Sequence, residues 1–218
     1  MSVDREKEAA AEAAADMVED GMRVGLGTGS TVAHLLPALA RRRRSITCVA
    51  TSPRTEHAAH QLGLRVEPFD DIEYLDLAID GADQVAPDGW LVKGGGGAHT
   101  REKLVAASAE RFVVMVDSSK PVDALRAPIP LELLAFGLAS TMVRLGSAQL
   151  RSAGVTPDGG VLADYTGACN DPGGLAAWLD GVPGVVGHGL FPSSMVSEIL
   201  VGRGSAVEHV HLPSRPDR

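Results

Sequence analysis

The sequence predicts an α/β protein, a largely parallel sheet layered with helices, followed by a second and smaller α+β domain. Short apolar runs alternate with helical patterns as far as Lys120, and the loops after those runs are polar and glycine-rich. Beyond Pro121 the texture changes to helix, hairpin, helix and strand, the order of a compact α+β domain. On this reading residues 1–126 plus 197–218 form the parallel-sheet domain and residues 127–196 the smaller one.

Each element has a local reason. Residues 4–19 are rich in alanine, the best helix former, and Gly21 stops the run. Met22–Leu26 reads as a strand, after which GTGST turns into a helix beginning near Thr31. That helix ends in Arg41–Arg44, where cations suit the carbonyl end of a helix, so the run is read as a solvated helix end rather than a polyanion patch. Ser45–Ala50 is the next strand, and Thr55–Leu62 a helix closed by Gly63. Leu75–Ile79 is a compact apolar strand ending in DGAD, LVAASAE a helix, and Arg111–Val116 another strand. APIPLELLAFGLASTMVRLG gives an extended lead-in and then a helix. Gly159 and Gly160 sit between strand-like pieces at Val155 and Val161, and DPGGLAAWLDGVPGVVGHGLF reads as helix, turn and strand. The tail Val196–Leu212 supplies two more strands, which return to the first domain.

Composition narrows the function. A net charge of −8 over 218 residues argues against nucleic acid as a partner. Cys48 and Cys169 are far apart and form no CxxC or metal spacing, which fits a reducing cytoplasm. The charged, Ala-rich N-terminus lacks the apolar core of a signal peptide, and no run approaches the roughly 18 apolar residues of a membrane span.

Three loops carry chemistry, and in a parallel sheet each would lie at the carboxyl end of a strand, where ligands bind. The first is Gly25-Leu-Gly-Thr-Gly-Ser-Thr31. It is no dinucleotide fingerprint, because Ser30 stands where Gly or Ala is needed and no acid ends the next strand. No GK[ST] follows, which excludes a Walker loop. A strand-to-helix turn remains, in which Gly27, Thr28, Gly29, Ser30 and Thr31 offer amides and hydroxyls to a small anion such as a phosphate monoester. The bland alternative is Ser30 or Thr31 as an ordinary helix cap.

The second loop is Asp80-Gly-Ala-Asp83, two carboxylates three apart. They suit general acid–base work or hydroxyl binding, and Mg2+ binding is the competing reading. The third is LVKGGGGAHTREK, Leu91–Lys103. Lys93 and the amides of Gly94, Gly95, Gly96 and Gly97 can stabilise an oxyanion, while Glu102 in a first helical turn can accept a proton. A phosphate cradle, hydroxyl-binding carboxylates and a base beside an oxyanion site suit proton abstraction next to the carbonyl of a phosphorylated sugar. His57 with His60, and His209 with His211, give two ligands each and no third, so no metal site is expected.

GLGTGST, LDLAIDGAD and LVKGGGGAHTREK, in this order and spacing, resemble the ribose-5-phosphate isomerase type A family. The resemblance continues through VDSSK (Val116–Lys120), PIPLEL (Pro128–Leu133) and VPGVVGHGLF (Val182–Phe191), and so spans nearly the whole chain. It implies a Rossmann-like domain with a small α+β domain, assembled as a homodimer or homotetramer. The implied reaction interconverts ribose 5-phosphate and ribulose 5-phosphate through an enediolate, with neither cofactor nor metal. By position in the motifs, Glu102 would shuttle the proton, Asp80 would assist ring opening, Asp83 would face the sugar, and Lys93 would sit near the reacting oxygens. Lys7, Ser30, Thr31 and Lys120 would surround the phosphate. Gln84, His99 and Pro121 depart from the family pattern without removing a catalytic group, and His99 is expected to cap or pack. Two further readings stay open: an amino-sugar phosphate deaminase, and a sugar-phosphate sensing module that keeps the phosphate loop without the base.

Overall fold

The computed structural model describes residues 2–212, so the outermost parts of the expected first domain, residues 1 and 213–218, lie outside it. In chain order the elements are α1 (Val3–Asp16), β1 (Arg23–Leu26), α2 (Ser30–Arg42), β2 (Thr47–Ala50), α3 (Pro53–Gln61), β3 (Arg65–Val66), β4 (Leu75–Gly81), β5 (Gln84–Val85), β6 (Leu91–Val92) and α4 (His99–Ser108). They continue with β7 (Ala109–Asp117), β8 (Ile129–Leu133), α5 (Leu138–Leu145), β9 (Ala148–Val155), β10 (Val161–Tyr165), α6 (Pro172–Asp180), β11 (Val185–His188), β12 (Leu190–Phe191), β13 (Glu198–Arg203) and β14 (Ala206–His211). The chain divides into two compact units. One takes the residues up to Ala82, Arg101–Lys120 and those from Ser194 onward; the other takes Asp83–Thr100 and Pro121–Ser193.

The first unit holds a seven-stranded sheet in the order β14-β13-β7-β4-β1-β2-β3. Its pairs are parallel except the edge pair β13–β14. The strands are apolar almost throughout, as expected where helices cover a parallel sheet. Alanine in α1 has a packing reason beyond propensity: Ala10, Ala11, Ala14 and Ala15 are fully buried with Leu35, Leu36 and Leu39 of α2 and with Leu200 of β13. Gly202 lies so close to α1 that an added Cβ would fall 2.1 Å from the Glu6 carbonyl oxygen. At the end of α2, Arg41 pairs with Glu12, and Arg42 reaches Glu12 at 2.9 Å and Asp16 at 2.6 Å. The arginine run therefore also ties α2 to α1. Helix α1 stops at Asp16, short of residue 19, where the sequence reading ended it.

Strand order reverses between β1 and β4. From β1 the chain proceeds to β2 and β3 on one side, and from β4 it passes to β7 on the other. The carboxyl ends of β1 and β4 thus flank the topological switch point, where ligands of open α/β sheets bind.

The second unit holds an antiparallel sheet, β11-β8-β10-β9, and a three-stranded ribbon, β12-β6-β5. Its core gathers Ile129, Leu131 and Leu133 with Leu145, Leu179 and Leu190. The segment 83–100, which the sequence reading kept in the first domain, groups here because Leu91 and Val92 pair with Phe191 and Leu190. Residues read as an extended lead-in, PIPLEL, contain the central strand β8, buried along its whole length. Strand β4 also runs further than its apolar stretch and includes Asp80 and Gly81.

Candidate active site

In the sheet unit, the loop after β1 is built around Asp80. Gly27 donates its amide hydrogen to the Ile79 carbonyl at 3.0 Å, continuing the pairing of β1 with β4. A Cβ on Gly27 would lie 1.8 Å from the Asp80 carboxyl carbon, so only glycine leaves that carboxylate its place. Asp80 Oδ1 accepts the amides of Thr28 at 3.1 Å and of Gly81 at 2.7 Å, and the side chain is buried. Two amide donors offset the cost of burying a carboxylate and fix its orientation.

The Thr28 hydroxyl donates to Ser52 Oγ at 2.8 Å and lies 2.9 Å from Thr51 Oγ1. Thr55 Oγ1 closes this group on the Gly27 carbonyl at 2.9 Å. These hydroxyls after β2 were not singled out from the sequence; the only signal was the run TSPRT, which also reads as a plain helix start with Ser52 as its cap.

Gly29 takes φ 144° and ψ −179°, a left-handed conformation that glycine tolerates, and it opens α2 without any side-chain cap. The first-turn amides of α2 therefore face outward with the positive end of the helix dipole behind them. Neither Ser30 nor Thr31 serves as the cap. Ser30 Oγ instead accepts from Lys7 Nζ at 3.0 Å, which brings a cation from α1 to the start of α2. Thr31 is buried against Gly81 at the end of β4.

Lys120 follows β7 in a turn whose amide donates to the Asp117 carbonyl at 3.2 Å. Glu6, beside Lys7 in α1, accepts the Ser118 hydroxyl at 2.6 Å, the Ser118 amide at 3.0 Å and the Gly204 amide at 3.1 Å. The bond from the Ser118 hydroxyl, with those from the Ser118 and Gly204 amides, holds the Glu6 carboxyl below the usual carboxylate range. Asp117, buried at the end of β7, accepts from the Ser119 amide at 3.0 Å. Neither acid was anticipated, since a Glu in a charged helix and an Asp before SSK look like ordinary surface residues.

Glu102 lies in the first turn of α4 and is 5% exposed. Val105, one turn later on the same face, packs onto β1, where a Cβ on Gly25 would come 2.3 Å from Val105 Cγ1. A helix that leads into a parallel strand runs back against the sheet, so its first turn sits at the level of the carboxyl ends.

In the second unit, Lys93 is 2% exposed, its amide donates to Gly189 O at 2.8 Å, and its Nζ lies 5.5 Å from the centre of the Phe191 ring. The four glycines form a tight turn in which Gly97 donates to the Gly94 carbonyl at 2.9 Å. Gly94 and Gly97 have φ of 100° and 80°, and a Cβ on either would strike His99 or Leu162. The His99 ring is thus buried under Gly94. Gly95 and Gly96 are exposed, and Gly95 donates to Asp83 Oδ2 at 2.8 Å. Asp80 and Asp83 therefore have separate partners, the first the loop after β1 and the second the glycine turn. Arg151, not anticipated from the sequence, grips the same turn by the carbonyls of Gly94 and Gly95. Among the described residues no group of three or more His, Cys, Asp or Glu is arranged to hold a metal ion.

The family model described as ribose 5-phosphate isomerase A (phosphoriboisomerase A) matches residues 47–206, and that of the DeoR C terminal sensor domain matches residues 3–64. The ribose-5-phosphate isomerase A of Caulobacter sp. (strain K31) is 42% identical over 222 residues, covering 95% of this chain and 98% of that protein. The structure of ribose 5-phosphate isomerase A from Methanocaldococcus jannaschii superposes with a TM-score of 0.91 at 32% identity, over 97% of this chain and 100% of that one. A D-ribose-5-phosphate isomerase solved in complex with phospho-erythronic acid gives a TM-score of 0.91 at 31% identity, with the same coverage. On these matches this chain belongs to the ribose-5-phosphate isomerase A family.

Proposed function

We infer that this chain is an aldose–ketose isomerase that interconverts D-ribose 5-phosphate and D-ribulose 5-phosphate. The observation that supports the reading is the clamp between Asp80 and the Thr28 amide, which ties a buried carboxylate at the end of β4 to the loop that opens α2, on adjacent strands at the switch point. The substrate phosphate would lie on the first-turn amides of α2, with Lys7 and Lys120 as cations. Asp80 would exchange a proton with the ring oxygen and the C1 hydroxyl as the sugar opens.

In the open aldehyde, Glu102 removes the proton from C2, and the electron pair moves through the new C1–C2 double bond onto O1. Lys93 and the amides of the glycine turn stabilise the negative charge of that enediolate. Glu102 then returns the proton to C1, O2 becomes the carbonyl, and its hydroxyl proton ends on O1. No electron leaves the substrate, so the chemistry calls for no redox cofactor. The relative that binds phospho-erythronic acid fits this scheme, because a carboxylate has the planar two-oxygen shape of the enediolate end.

The DeoR sensor match favours a second reading for part of the chain, a shared phosphate cradle. It ends before Asp80, Lys93 and Glu102, so it reaches none of the groups that move protons. The enzyme is further proposed to act in the reducing cytoplasm as a homodimer or homotetramer; both cysteines are free and buried, and among the described residues no helix is long and apolar enough to cross a membrane. Light scattering that returned the 22.6 kDa of one chain would reject the oligomer. The activity itself is tested by mixing purified protein with ribose 5-phosphate and following ribulose 5-phosphate. Absence of ketose formation, or release of ammonia from an amino-sugar phosphate instead, overturns the assignment.

A further inference from the structure

We propose that Arg151 is a positioning residue for the isomerisation: its guanidinium locks two successive peptide planes of the glycine turn so that their amides are aimed for oxyanion stabilisation. The proposal rests on the reading of that turn as the oxyanion site. Three observations carry it, all within the second unit.

The first is the hydrogen-bond pattern. Arg151 Nη1 donates to Gly94 O at 2.9 Å and to Gly95 O at 3.2 Å. A trans peptide points its C=O and N–H in opposite directions. Holding the Gly94 carbonyl therefore fixes the Gly95 amide, which donates to Asp83 Oδ2 at 2.8 Å. Holding the Gly95 carbonyl fixes the Gly96 amide, which must point away from the guanidinium. That amide belongs to an exposed residue next to Asp83's own donor, the position an incoming oxygen anion can use. Glycine is the residue least able to hold such planes by itself, so the aim must come from outside the turn.

The second is the way Arg151 is itself held. Its Nε donates to Asp164 Oδ2 at 2.8 Å and its Nη2 to Asp164 Oδ1 at 2.6 Å, a fork-to-fork pair between β9 and β10. Both nitrogens facing Asp164 are committed, which leaves Nη1 pointed at the turn in one orientation.

The third is a break in the ladder. Ala163 pairs with Leu150, yet Val161 pairs with Val155, so four residues of β9, Arg151 to Gly154, stand opposite Leu162 alone. Bulges re-aim side chains, and here Arg151 leaves the ladder as the bulge begins. Leu162, the residue opposite, is the one whose Cδ1 would lie 2.5 Å from a Cβ on Gly97. The irregularity in the hairpin thus supplies both groups that shape the turn.

The test compares Arg151→Ala, Arg151→Lys and Asp164→Asn with the wild type, by steady-state kinetics on ribose 5-phosphate and by thermal unfolding. Misaimed rather than deleted donors should lower kcat by about 10^2-fold in Arg151→Ala, with KM within about threefold, because the phosphate is held in the other unit. Guanidinium ion at sub-denaturing concentration should recover at least about tenfold of that loss, whereas equal ammonium should not, since only a planar guanidinium can hold Asp164 by two nitrogens while its third faces both carbonyls. Arg151→Lys keeps the charge beside Asp164 but lacks the fork, so it should fold and still lose kcat. It carries the test if the alanine variant does not fold. Asp164→Asn keeps an acceptor for only one of the two nitrogens, so it should lower kcat in the same direction as Arg151→Ala but by less. Wild-type kcat in both arginine variants, or a loss in Arg151→Ala that guanidinium does not relieve, overturns the positioning role. A wild-type protein inactive on ribose 5-phosphate would instead sink the isomerase reading itself.

Discussion

One oxygen of the Asp80 carboxylate accepts the Thr28 amide at 3.1 Å, so the end of β4 holds the loop that follows β1 in shape. The proposed phosphate cradle and the proposed ring-opening acid are therefore a single mechanical piece. A change in the loop must be felt at the carboxylate, and the reverse.

Gly27→Ala tests that coupling. Its Cβ would fall 1.8 Å from the Asp80 carboxyl carbon, so the carboxylate or the loop has to move. Overpacking of this kind costs about 1–3 kcal/mol, which denaturant titration should read as a lowered midpoint. kcat/KM should fall as well; unaltered kinetics would mean that the loop and Asp80 act independently.

Glu102→Gln keeps the size and reach of the side chain but cannot take a carbon-bound proton. kcat should drop by at least about 10^2 to 10^4, the usual worth of a general base, with little change in KM. In D2O the wild type should place deuterium on the exchanging carbon and the variant should not. Near-normal exchange in the variant would move the base elsewhere, with Asp80 or His99 next in line.

Lys120→Ala removes a cation proposed to contact phosphate. The loss should be about 1.5–3 kcal/mol and should be seen in KM, since a phosphate held equally in ground and transition states contributes uniform binding. Ribose without phosphate should be a very poor substrate. Equal turnover of ribose and ribose 5-phosphate would remove the α2 terminus from the mechanism.

Activity should survive exhaustive EDTA treatment, because Lys93 and the glycine amides are proposed to supply the electrophile. Loss of turnover on chelation, restored by Mg2+ or Zn2+, would reassign Asp80 and Asp83 as ligands.

The Cys48 thiol provides a pH test of the sheet core. Burial pushes it up to about 12 from an ordinary value of 9.0. Above pH 9 the unfolded chain ionises this thiol while the folded chain keeps it protonated, so its contribution is full below 9 and is lost as pH rises toward 12. The slope should reach about 1.4 kcal/mol per pH unit at most, and Cys48→Val should remove that part of it in urea titrations across the range.

Periodicity and turn chemistry in the sequence determined most of the parallel sheet, because its longer strands are short apolar runs punctuated by glycine or a helix start; the two-residue edge strand β3 is not read from the sequence. The same local signals exposed GTGST, DGAD and KGGGG, whose residue types are costly unless an anion or a proton is to be handled. What escaped the sequence has no local signal. Strands β5, β6 and β12 are two residues each, too short for any period, and exist only because Leu91 and Val92 meet Phe191 and Leu190 across the chain. The strand within PIPLEL, Ile129–Leu133, is buried on both faces, so it shows no alternation, and the segment carries two prolines besides. The Thr51, Ser52 and Thr55 hydroxyls gain meaning only when β2 lies beside β1, and Glu6 only when α1 crosses the turn at Ser118. Arg151 is the sharpest case: it is separated from Gly94 by 57 residues, and only the bulge in β9 and the Asp164 fork on β10 aim its guanidinium at the glycine turn. Local chemistry chose the reactive groups, and long-range packing decided which way they point.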